Sequence, residues 1–350
     1  MIELTPKNLI PLLVRLLRVD PPRAVCLVGA PGMAKTECIR QAARLLDAIL
    51  FVEHPLLREP IDYAGLPWVV DGEARQLPMA FIQSVKQAAL DNPNKPIVVF
   101  FDDVGQAATA TQAAMMQFVQ ERSFAGQQVP DNVRFVMATN RRKDKAGVGG
   151  ILAPLTNRLT VLGVTVDPDS WAEWALTVGG LPPEVPAYVR FKPDCLGDPE
   201  NSTNRDIEPF CSARALEAAG RYVAAGITDF AVLAGCLGDG RATELNNFLK
   251  VWRELPDIDK IFASPATADV PKANKTDVMY ALVGALAAHV TTKTMGALNT
   301  YASRLPIEYQ VACIKDAQSQ KPELRKTKGF MDWLLKNKGM LGLDDEKDSE

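Results

Sequence analysis

The chain has 350 residues, 47% of them hydrophobic and 23% charged, with a formal net charge of −3. Its length allows about two domains. The slightly acidic balance argues against a nucleic-acid footprint, which calls for a basic domain, and the longest apolar run, 278–290, is too short to span a bilayer. Cys26, Cys38, Cys195, Cys211, Cys236 and Cys313 form no C-x-x-C pair and read as reduced thiols of a cytoplasmic protein, while His54 and His289 make no metal pattern. Residues 1–18 are amphipathic, unlike a secretory signal.

Thr5-Pro6 opens a helix whose apolar period runs through Leu17 and stops at Asp20-Pro21-Pro22. A buried strand over 24–28 then enters the turn Gly29-Ala30-Pro31-Gly32-Met33-Ala34-Lys35-Thr36, which leads into a helix over 34–48. Backbone N–H groups and the positive helix end converge there on one point, which suits a phosphate. Lys35 would reach the β- and γ-phosphates and Thr36 would take a place on Mg²⁺. Ala34 stands where the usual G-x-x-x-x-G-K-[ST] pattern has glycine, and is acceptable if the backbone there is already right-handed.

A strand over 49–52 follows, then an irregular stretch in which Asp71-Gly72 suggests a short hairpin, with Trp68 better read as a core anchor than as an exposed contact. The run Ile97-Val98-Val99-Phe100-Phe101-Asp102-Asp103 reads as a strand covered on both faces, with two carboxylates at its C-terminal end, where open α/β sheets place ligands. In a nucleotide site Asp102 would hold Mg²⁺ and Asp103 would orient or polarise the attacking water; otherwise the pair caps the next helix. After a helix over 108–120 and a small hairpin around Gly126, a strand over 133–138 ends in Thr139-Asn140. Asn140 could hydrogen-bond a γ-phosphate or the attacking water, and Arg158 precedes the next strand, 159–164. From Pro168 onward helices dominate, and Ser212-Ala213-Arg214 puts an arginine in a first helical turn, the unfavourable end for a cation.

In their order and spacing these motifs resemble the AAA+ ATPases, and among them the MoxR-like branch, in which alanine commonly precedes the phosphate-loop lysine. The resemblance covers roughly residues 5–255. It implies a P-loop core with a parallel five-stranded sheet, order 5-1-4-3-2, and a C-terminal all-α lid: core 1–192, lid and helical extension 205–340, disordered acidic tail 341–350. It makes 97–103 the Walker B strand, Asn140 sensor 1, Arg158 the arginine finger acting on a neighbouring subunit and Arg214 a sensor 2 contact to the γ-phosphate. Residues 62–78 are placed like the helix-2 insert and 123–129 like the pre-sensor-1 hairpin. Implied with these are ATP and Mg²⁺, ATP hydrolysis, a hexameric ring of identical chains and a client protein, of von Willebrand A-like or metallopeptidase type; the acidic charge balance speaks against a nucleic-acid partner, and the short apolar runs against a membrane. Two positions depart from the pattern: Asp103 replaces the usual glutamate, and Ala213 the usual proline.

Overall fold

A computed structural model describes residues 1–124, 127–141, 150–151, 156–197, 209–272 and 274–337. The chain separates into two compact units, the first holding 1–166 with Ser212–Arg214, the second holding Asp167–Gly197 and the described chain from Ala215 onward. The boundary therefore falls after Val166, so that 167–192, assigned to the core from sequence, cluster with the helical unit. The expected acidic tail, 341–350, lies outside the described residues.

The first unit is built in chain order from β1 (Glu3–Leu4), α1 (Pro6–Leu16), β2 (Val25–Val28), α2 (Lys35–Leu45), β3 (Ile49–Glu53), α3 (Pro60–Ala64), β4 (Leu66–Val70), β5 (Glu73–Leu77), α4 (Ala80–Asp91), β6 (Ile97–Phe101), α5 (Thr109–Glu121), β7 (Ser123–Phe124), β8 (Gln127–Gln128), β9 (Val133–Thr139) and β10 (Thr160–Val164). Six strands form one parallel sheet in the order β1-β10-β2-β9-β6-β3. Five strands were expected. Those five stand in the order 5-1-4-3-2, and the sixth, β1, pairs Glu3 with Gly163 and Leu4 with Val164 at the edge of β10.

Alternate residues of the central strands serve opposite faces of the sheet. Leu27, Val98, Phe100, Val136 and Ala138 pack with Leu9 and Leu13 of α1 and Ile39 of α2. Cys26, Val99, Phe101, Phe135 and Met137 pack on the other face with Ile82 and Val85 of α4 and Met115 of α5. All five residues of β6 are buried, as a strand covered on both faces requires.

β4 and β5 form a separate two-stranded hairpin joined at Asp71-Gly72, both with positive φ, the turn that matches strand twist. Trp68 is a correction: at 60% exposure it lies on this hairpin rather than in the core, whereas Tyr63 of α3 is buried and packs on β6. β7 and β8 pair antiparallel, Ser123 with Gln128 and Phe124 with Gln127; Gly126, on which the small hairpin was centred from sequence, lies outside the described residues.

The second unit is helical among its described residues. It contains Pro168–Thr177, Glu184–Phe191, the helix Ala213–Ala224 from Ala215 on, Phe230–Leu237, Asp239–Arg253, Ile258–Ala263, Thr276–His289, Met295–Ala302, Ile307–Gln320 and Lys328–Lys336. Its core gathers Met279, Leu282, Leu286, Tyr301, Cys313 and Trp333. Within it the buried Arg190 bonds the buried Asp316 and, at 3.1 Å, Asp169.

Candidate active site

β2, β6 and β9 are parallel neighbours in the sheet, so their C-terminal ends deliver the phosphate-type loop, the Asp102-Asp103 pair and Asn140 to one sheet edge. The loop is shaped by contacts that exclude side chains. A Cβ on Gly29 would stand 2.7 Å from the Val164 carbonyl oxygen, and Gly32, at φ +76°, would press one to 3.1 Å from Ser212. Ala34 has φ 55° and ψ 19°, the left-handed region. The condition under which alanine was acceptable there is thus not met: Ala34 adopts the backbone that glycine supplies in the usual pattern. It is also the N-cap of α2 and offers no side-chain hydrogen bond, so the first-turn N–H groups of the helix are left without a side-chain cap. An anion satisfies both those donors and the helix dipole.

Lys35, only 7% exposed, donates to the carbonyls of Gly29 (2.9 Å) and Ala30 (3.0 Å) and to Oδ1 of Asn140 (2.7 Å). Asn140 is buried as well, and its Nδ2 lies 3.4 Å from Oδ1 of Asp103. The Thr36 hydroxyl donates to Oδ2 of Asp102 at 2.8 Å, while Oδ1 of Asp102 accepts the Asp103 N–H at 3.1 Å. A hydroxyl and a carboxylate held this close are hard oxygen donors that fit Mg²⁺, which takes one or two protein ligands and fills its remaining positions with phosphate and water. Asp103 does not cap the following turn with its side chain, so the capping alternative for this residue falls. Burial, then the neighbouring Asp102, raises its pKa above the ordinary carboxylate value; Lys35, His54 and Arg214 oppose the rise.

Arg214 joins this group. Ser212–Arg214 cluster with the first unit, and the Arg214 Cβ lies 3.8 Å from where a Gly32 Cβ would be. Arg158 does not join it. It is exposed in the turn before β10, whose first residue, Thr160, pairs with Val25, the first residue of β2. Arg23 donates to the Asn157 carbonyl of the same turn at 3.1 Å. The phosphate-type loop leaves the other end of β2, four residues on, about 13 Å along the strand.

Two residues near the site escaped the sequence reading. Glu53 ends β3, and its carbonyl accepts the Asp102 N–H at 2.8 Å; His54 follows it and bears electrostatically on Asp103. Their signal was only their place at a strand end.

Residues 24–159 match the AAA domain of the dynein-related subfamily. The matched stretch holds the glycine-rich loop, Asp102-Asp103 and Asn140, and it closes one residue after Arg158. It supports a nucleotide-dependent AAA+ ATPase, and AAA domains generally hydrolyse ATP with Mg²⁺. No curated protein matches the chain. No helix among the described residues is long and apolar enough to cross a membrane.

Proposed function

We propose that the chain is a MoxR-like AAA+ protein that binds and hydrolyses ATP and uses the resulting change of shape to remodel or activate a partner protein. The observation that carries this reading is the convergence of Lys35, Thr36, Asp102, Asp103 and Asn140 at one sheet edge, with Thr36 bonded to Asp102. In this reading Gly29, Ala30, Pro31, Gly32, Met33 and Ala34 wrap the phosphates, and Lys35 neutralises the β- and γ-oxygens. Thr36 and Asp102 would hold Mg²⁺, which draws charge from the phosphate oxygens when bound. Asp103 accepts the proton of the attacking water. Asn140 orients that water or the γ-phosphate, and Arg214 adds a second positive charge near the loop.

Arg158 acts on the site of the next copy in a hexameric ring. Mixing Lys35→Ala and Arg158→Ala chains tests this: each is inactive alone, and mixed assemblies recover part of the ATPase activity. Mixtures that assemble yet stay inactive refute the shared site. The partner is a protein, with a von Willebrand A-like or metallopeptidase module as the first class to test by pull-down with an Asp103→Asn trap.

Asp103 motivates a second reading, an ATP-gated assembly scaffold with slow turnover, because aspartate reaches one methylene less far than glutamate toward the water. Turnover above about 1 s⁻¹ refutes the scaffold. A DNA-directed motor is disfavoured by the net charge of −3, and salt-sensitive DNA binding would revive it.

A further inference from the structure

Glu53 is 4% exposed and belongs to none of the phosphate-binding motifs, yet it touches both the candidate site and the root of the exposed hairpin. On one side its peptide is part of the site's framework: it pairs in register with Phe101, and its carbonyl accepts the Asp102 N–H. On the other side its carboxylate accepts from two guanidinium nitrogens of Arg58, Nε and Nη2, the latter at 3.3 Å. Arg58 is itself held in place, because its carbonyl accepts the hydroxyl of Thr111 on α5 at 3.1 Å.

Two residues beyond Arg58, α3 begins under a capping box made by Glu59 and Asp62. The one large side chain that α3 buries is Tyr63, which meets Phe101 edge to face at 6.1 Å. Gly65 alone separates α3 from β4. The hairpin is therefore rooted on the ends of β3 and β6, through an ion pair to Glu53 and a ring contact to Phe101, with α3 also packed against α5. Its outer surface carries Trp68, Val69, Leu66 and Leu77, all exposed.

We propose that Arg58 is a positioning residue whose fork onto Glu53 ties the 66–77 hairpin to the strand end bearing Asp102, so that nucleotide bound at that end changes the hairpin. The inference rests on the nucleotide-site reading above. A two-pronged guanidinium–carboxylate bond fixes angle as well as distance, which a single-point cation does not. A displacement of the β3–β6 edge is thus carried into α3 as a rotation. The competing role for Arg58 is charge neutralisation of a buried carboxylate, which leaves the hairpin indifferent to nucleotide.

Hydrogen exchange on the full chain separates these roles, read over 66–77 with and without a non-hydrolysable ATP analogue and Mg²⁺. In the native chain the analogue changes hairpin exchange about twofold or more, the lower end of what a coupling network carries. Arg58→Met loses that change, while its nucleotide dissociation constant and the nucleotide response of 97–101 stay native. Arg58→Lys, which keeps the charge without the fork, retains less than half of it. Glu53→Gln, which keeps the side-chain volume, repeats the loss and guards against a folding defect in Arg58→Met. A full hairpin response in Arg58→Met, or a native chain that binds the analogue with an unresponsive hairpin, overturns the inference. A native chain that binds no nucleotide overturns the site reading, and the inference with it.

Discussion

An Ala34→Gly variant is expected to fold more stably than the native chain. Ala34 sits at φ 55°, ψ 19°, where the Cβ of an L-residue crowds the following carbonyl at a cost of about 1–2 kcal/mol. Glycine removes that cost. It also widens the unfolded ensemble, which returns about 0.5–1 kcal/mol to the unfolded state. The net gain is about 0.5–1 kcal/mol for the first unit, a shift of about 2–4 °C per kcal/mol for a unit of this size. Urea denaturation followed by a probe in that unit reads the change as a higher midpoint at unchanged slope. The sign decides the matter: were Ala34 right-handed, glycine would lower stability by about 0.5–1 kcal/mol. A lowered midpoint at constant slope refutes the left-handed assignment and the account of the loop built on it.

Asp316→Ala leaves the buried Arg190 with only Asp169 of its two carboxylate bonds; breaking a buried pair costs about 3–5 kcal/mol, the remaining bond placing the loss at the low end, visible in the helical unit's melting transition. Tyr63→Phe keeps the ring against Phe101 and deletes a buried hydroxyl that has no hydrogen-bond partner among the described residues, so stability rises by about 1 kcal/mol in the same urea assay. Asp103→Asn carries a pH signature. The folded carboxyl holds its proton to higher pH than the unfolded one, so the folded state binds more protons in that window and native stability falls as pH rises through it. Asparagine stays neutral, so the variant melts higher than the native chain at neutral pH, and the difference fades as pH falls into the ordinary carboxylate range. A pH-independent difference refutes the assignment.

The centre of the sheet was legible because β2, β6 and β9 are each written twice in the sequence, as an apolar run and as the punctuation that ends it. Val25–Val28 ends in Gly29, Ile97–Phe101 in Asp102, and Val133–Thr139 in Asn140. Those same punctuating residues are the candidate site, so fold and site were read from one signal. β1 has two residues, too few to show a period, and it exists by pairing with β10. Glu184–Phe191 carries Pro186 within it, a residue that normally argues against a helix, but only in its first turn, where the missing N–H has no partner to lose. Ile258–Ala263 spans less than two turns. Trp68 misled because aromatic residues are usually inside, while its strand belongs to a ribbon outside the main sheet. The handedness of Ala34 was not legible from its residue type, since an alanine normally avoids positive φ.

The placement of Arg158 has a consequence for symmetry. It stands where β10 begins, and the phosphate-type loop stands where β2 ends. If Arg158 serves the loop of another copy, the contact joins two different patches of the chain and is heterologous, not the self-complementary patch of a twofold dimer. Each copy then offers one donating patch and one accepting patch, and neither can be used on the same copy. An open chain of copies keeps one incomplete site at its end, whatever its length, and closure alone makes every site equivalent.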